Sequence, residues 1–147
     1  MTSPLVRGEA VEIHRMLPAA PADVFRAWTD PEMLARWMTP VGEAEASVEP
    51  RPGGVFRVVM RGEGRTIEHV GEYLEFEPPH RLAFTWVSPY TGDRPTRVTV
   101  LFEAVGPDTA VTLVHELLPA DAVESHRGGW GQMLARLADA IGGGSAP

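Results

Sequence analysis

The chain has 147 residues, enough for one domain with a sizeable core, and 44% hydrophobic against 22% charged residues is the balance of an ordinary globular protein. Thirteen basic against twenty acidic side chains leave a formal charge of −7; with no basic cluster in view, nucleic acid and an anionic membrane surface are both poor partners. Cysteine is absent, which excludes disulfides, thiolate metal sites and cysteine nucleophiles.

No apolar run approaches the ~20 residues needed to cross a bilayer. The opening MTSPLVRGEAVEIHR lacks the apolar centre of a signal peptide. A cytoplasmic location is therefore the default expectation.

Residues 1–9 read as a ragged lead-in. Ala10 to Leu17 alternates, with Val11 and Ile13 on one side, and predicts a first strand stopped by Pro18. Pro21 then opens a short helix whose apolar stripe is Val24, Phe25 and Trp28, since proline is tolerated at a first helical position. Asp30-Pro31 repeats the signal, with Asp30 as N-cap and Leu34, Trp37 and Met38 facing inward; Pro40 closes this second helix.

After Gly42 the period changes to two. Glu43 to Glu49 alternates weakly and suits an edge strand. Beyond the turn Arg51-Pro52-Gly53-Gly54, Phe56, Val58 and Met60 alternate with Arg57 and Arg61. Gly62-Glu63-Gly64 predicts a hairpin loop. The next strand carries Ile67, His69, Gly71 and Tyr73 on one face and Glu68 and Glu72 on the other. Phe76 falls out of step, which calls for a bulge near Leu74. Pro78-Pro79 turns the chain into a strand with Leu82, Phe84 and Trp86 on one face. The polar SPYTGDRP loop follows, then a strand with Val98, Val100 and Phe102 inward, and another with Val111, Leu113 and His115 inward.

The last stretch, Pro119 to Ile141, is an amphipathic helix: Val123, Trp130, Leu134, Leu137 and Ile141 recur at helical spacing. Asp121 is the expected N-cap, with Glu124 completing a capping box, and Gly142, Gly143 and Gly144 the expected stop. Gly128, Gly129 and Gly131 interrupt it around Trp130, each at about 1 kcal/mol of helix propensity relative to alanine. They imply either close packing against strand side chains or a surface thinned beside a cavity. Consecutive hairpins and one long helix predict an α+β fold, a curved antiparallel sheet of six to seven strands wrapped around that helix. The domain should span 10–141, with 1–9 and 142–147 as flexible termini.

Three blocks resemble a known family: WTDPEMLARW at 28–37, GEYLEFEPPHRLAFTW at 71–86, and GGW at 128–130. Together with the element order they resemble the SRPBCC (START-like) superfamily, and within it the branch named for the activator of heat-shock protein 90 ATPase homologue. The resemblance implies a helix-grip fold, with a pocket between sheet and helix capped by the two short helices. It implies binding of small apolar molecules, or an enzyme of polyketide cyclase, dehydratase or hydrolase type; the branch name adds a chaperone-linked interaction role.

The inward positions supply the candidates for such a pocket. On the helices these are Trp37, Met38, His126, Trp130 and Met133; on the strands, Met60, His69, Tyr73, Trp86, Phe102 and His115. His69, His115 and Tyr73 are the acid–base candidates, because an imidazole exchanges protons near neutral pH. Each histidine has an alternative reading as a core residue satisfied by a hydroxyl or carbonyl. No histidine pair has metal-ligand spacing, no nucleophile or phosphate motif occurs, and no cofactor is called for. The expected partner is a small, largely apolar molecule, and a homodimer contact would follow if Trp28 or Trp37 were exposed.

Overall fold

The computed structural model describes residues 9–40 and 42–141. The lead-in, apart from Glu9, and the tail at 142–147 with its helix-stopping glycines lie outside the described residues. Strand β1 (Glu9–Leu17) leads into two short helices, α1 (Pro21–Thr29) and α2 (Pro31–Trp37). Both open on proline, and the Asp30 carboxylate accepts from the N–H groups of Glu32 (2.9 Å) and Met33 (3.4 Å), as an N-cap should.

Six further strands follow: β2 (Glu43–Val48), β3 (Val55–Gly62), β4 (Arg65–Glu77), β5 (Arg81–Trp86), β6 (Thr96–Val105) and β7 (Asp108–Leu118). All pair antiparallel in the order β1-β7-β6-β5-β4-β3-β2, so β1 and β2 are the two edges of one seven-stranded sheet. The β3–β4 hairpin turns on Glu63 and Gly64, both with positive φ (53° and 76°), the backbone of the tight turn that matches strand twist. The polar loop after β5 contains a single 3-10 turn, Pro89–Thr91, with Ser88 capping it.

Strand β4 bends the sheet. Its first half pairs with β3 as far as Glu72, and its second half pairs with β5 from Tyr73 onward. The register shifts between Tyr73 and Glu75, which leaves Leu74 exposed and returns Phe76 to the core side, so the out-of-step Phe76 did mark a bulge. Gly71 sits at the bend, where an added Cβ would lie 2.0 Å from the Thr85 carbonyl oxygen and 2.4 Å from the Phe56 ring. No side chain fits there.

The long helix α3 (Val123–Ile141) lies in the sheet against β1 and α2. Its start differs from the expected cap. Ala120–Ala122 form a 3-10 turn in which the main-chain N–H groups of Ala122 and Val123 donate to the carbonyls of Pro119 and Ala120. Main-chain oxygens thus take up the donors assigned to Asp121, which sits exposed inside the turn.

The main core cluster is rich in aromatic rings, and a smaller cluster of Val11, Leu118 and Ala122 lies where β1, β7 and the turn before α3 meet. Phe25 packs edge-on against Phe76 and Phe102, Trp28 against Trp37, and Phe56 against Phe84. Trp28 and Trp37 are 2% and 0% exposed, so neither supplies the dimer contact that exposure would have allowed. Among the described residues no helix is long and apolar enough to cross a membrane.

Candidate functional site

A cleft of about 340 Å³ opens between the β3–β4 hairpin and the first half of α3. The hairpin contributes Met60, Ile67 and His69, and the helix contributes His126, Gly129, Trp130 and Met133. Trp86 of β5 reaches it from the sheet, and Thr39 and Pro40, after α2, from the side. At the mouth stand the exposed Glu63, Arg65 and Tyr90.

Local geometry explains these placements. Met60, Ile67 and His69 share the inward face because strand side chains alternate. Trp130 and Met133, and His126 and Gly129, repeat at helical spacing along one side of α3. Of the three interior glycines only Gly129 lines the cleft. A Cβ added at Gly128, Gly129 or Gly131 would meet nothing within 4 Å, so close packing is not why they are there.

Six of the sequence candidates therefore come together: Met60, His69, Trp86, His126, Trp130 and Met133. The other five do not line the cleft. Trp37 is core, its indole N–H donating to the Ala27 carbonyl at 2.9 Å, and Met38 is buried at the end of α2. Phe102 packs on Phe25 and Trp28. Tyr73 packs among Phe56, Phe76 and Phe84, and burial pushes its phenol pKa up, which suits a core ring better than an acid–base group.

His115 is sealed. Its Nδ1 accepts the Trp130 indole N–H at 2.9 Å, so the ring proton is on Nε2, which donates to Thr96 Oγ1 at 2.7 Å; Thr96 in turn donates to the Trp86 carbonyl at 2.6 Å. Burial, then the nearby His126, lowers its pKa to about 3. It is a neutral structural imidazole that fixes the two tryptophans of the cleft.

His69 differs. It is 4% exposed, its ring lies 4.6 Å from that of Trp86, and its Nδ1 makes no hydrogen bond among the described residues. Burial is the main reason its pKa falls to about 4; His126 adds to the fall, and main-chain groups of Val58 and Ile67 oppose it. On the opposite wall, His126 donates from Nδ1 to the Ala122 carbonyl at 2.8 Å, leaving Nε2 as its acceptor nitrogen, and burial lowers its pKa too. The cleft is thus an apolar, aromatic space with two neutral imidazoles in its walls.

Sequence reasoning missed Thr39, Pro40, Gly62, Glu63, Arg65, Tyr90 and Ser125 as lining residues. Glu63 and Arg65 flank a turn glycine, and Tyr90 sits in a polar loop, so periodicity says nothing about either. Only the bend of β4 brings hairpin tip and loop to one opening.

The family model described as Activator of Hsp90 ATPase homolog 1-like protein matches residues 18–142. Among solved structures, a Nitrosomonas europaea protein is 24% identical with a TM-score of 0.78, over 94% of this chain and 97% of its own, a likeness of fold. A Chromobacterium violaceum protein is 28% identical with a TM-score of 0.74, over 88% of this chain and 95% of its own. CalU16 from Micromonospora echinospora is 26% identical with a TM-score of 0.70, over 90% of this chain and 76% of its own. None of the curated proteins matches the chain. Family-model coverage from just after β1 to the end of α3, on a seven-stranded sheet gripping that helix, makes this chain a member of the Activator of Hsp90 ATPase homolog 1-like protein family within the SRPBCC superfamily.

Proposed function

We propose that the protein binds a small, largely apolar molecule in the cleft between the β3–β4 hairpin and α3, with a polar group of the ligand hydrogen-bonded to His69. The observation that carries this is the cleft itself, about 340 Å³ walled by Met60, Trp86, Trp130 and Met133, with the buried His69 ring, whose Nδ1 makes no hydrogen bond among the described residues, in the same wall. An unsatisfied buried polar group costs about 1–3 kcal/mol, and a ligand that supplies its partner recovers that. Trp86 and Trp130 offer the broad apolar surface that small-molecule sites use.

Binding is favoured over acid–base chemistry at the same place. A catalytic base works best with a pKa near the working pH. His69 lies well below it, and His115 is committed to Trp130 and Thr96. A chaperone-linked role would need a contiguous exposed apolar surface. Among the described residues the exposed large apolar side chains sit on five strands and the loop after β5, and of them Val55 and Val70 border a common depression.

The test is a fluorescence titration against a panel of polycyclic aromatic and sterol-like compounds, using the two cleft tryptophans as reporters. Saturable quenching, abolished in Gly129→Leu, is the expected result. A panel that produces no saturable response, while unfolding midpoints also stay constant, counts against the proposal.

A further inference from the structure

Resting on the reading of the cleft as a ligand site, we propose that its ligand is an aromatic acid: a flat apolar body beside Trp86 and Trp130, with one carboxylate at the mouth against Arg65. The ring system of the walls supplies the first half. Trp86 and Trp130 have centroids 5.3 Å apart at 45°, and His69 adds a third ring 4.6 Å from Trp86. Such walls favour planar aromatic guests in offset or edge-on contact.

The second half comes from charge. On the neighbouring strand β3, Arg57 is paired with Glu68 and Arg61 with Glu45. Arg65, which opens β4 and lines the cleft, has no carboxylate partner among the described residues. Its one side-chain hydrogen bond among the described residues runs from Nη1 to the Tyr90 hydroxyl at 3.3 Å. That contact joins the hairpin to the 3-10 turn at the cleft mouth and steadies the guanidinium there, with most of its donor fork still available. The fork matches a carboxylate with two parallel hydrogen bonds.

The inner walls direct a charge toward the mouth. An ion carried into an apolar space without a partner is strongly penalised, and both imidazoles there are in their neutral form near pH 7. The formal charge of −7 opposes anions at long range, but charges beyond a screening length of about 8 Å contribute little at physiological salt. Glu63 also reaches the mouth, from the tip of the turn, and makes no ion pair or hydrogen bond among the described residues that would hold it there.

The experiment compares 2-anthracenecarboxylate, its methyl ester and 2-(aminomethyl)anthracene by fluorescence titration, in the native chain and in Arg65→Gln. The acid should bind the native protein about fivefold more tightly than the ester, as a partly exposed ion pair allows. Arg65→Gln should erase that preference, leave the ester unchanged and keep the unfolding midpoint. Equal binding of acid and ester, preference for the amine, or parallel weakening of acid and ester in the variant overturns the carboxylate proposal and leaves the cleft as a site. Failure of all three compounds to bind overturns the aromatic-acid proposal, and the cleft reading falls with it when the wider panel also gives no saturable response.

Discussion

The indole N–H of Trp130 donates to Nδ1 of His115 at 2.9 Å, and this contact ties the cleft face of α3 to strand β7, next to the β1 edge of the sheet. Because indole only donates, it fixes the His115 tautomer, and through Thr96 the chain of hydrogen bonds ends on the Trp86 carbonyl. His115→Leu should therefore cost about 3 kcal/mol, since it leaves the Trp130 N–H without an acceptor and Thr96 without its donor. Thr96→Val should cost about 1–2 kcal/mol for the same reason on a smaller scale. Urea unfolding measures both, and a loss below 1 kcal/mol for His115→Leu would show that the chain of bonds is not what holds the two elements together.

Acid should weaken the fold before the carboxylates titrate. The folded-state pKa values of His69 and His115 lie at about 4 and about 3, below the unfolded value of 6.5. At pH 7 both states carry neutral rings, so neither histidine contributes a difference. Between pH 6.5 and 4 the unfolded chain binds protons that the folded chain refuses, and stability falls by roughly 1.4 kcal/mol per pH unit for each histidine. Denaturation curves at pH 7, 6 and 5 should show this decline. His115→Leu should show a shallower one, and a native curve flat over that interval would contradict it.

The interior glycines of α3 separate into two kinds. Gly128 and Gly131 meet nothing that an added methyl group would strike, so alanine at either should raise stability by about 0.5–1 kcal/mol through helix propensity. Gly129 borders the cleft, so Gly129→Leu should keep the fold while occupying ligand space. Thermal midpoints test the first statement, and loss of ligand-induced quenching with an intact circular-dichroism spectrum tests the second.

Gly71 is the opposite case. Alanine there would force the β4 main chain away from Thr85 and the Phe56 ring, and overpacking of that kind costs about 1–3 kcal/mol or more. Gly71→Ala should be poorly stable in urea unfolding, and a native-like midpoint would mean that the bend in β4 relaxes easily.

Arg136 of α3 donates to the Thr39 carbonyl at 2.9 Å and the Gly42 carbonyl at 3.5 Å, holding the segment that contributes Thr39 and Pro40 to the cleft. Arg136→Met keeps the apolar stem and removes the donors, so it should cost about 1 kcal/mol and speed amide exchange around residue 39. Unchanged exchange there would assign the segment's order to its own packing instead.

Element type and order were legible in the sequence because both depend on neighbours close along the chain. Period-two runs gave the strands, Pro21 and Asp30-Pro31 the helix starts, and Phe76 out of step the bulge. The same local information placed six of eleven candidates on faces that turn toward the cleft. It could not say how deep each would lie: Trp37, Tyr73 and Phe102 face inward too, yet other rings cover them, and Met38 is buried at the end of α2. Nor could it separate His115 from His69, two inward strand histidines distinguished only by whether a helix indole and a strand threonine meet the ring. The helix around Trp130 was evident from periodicity, whereas the role of its glycines rested on what stands opposite them. Side-chain direction is a property of the local backbone; an empty space and an unpartnered nitrogen exist only once distant strands and helices have closed around them.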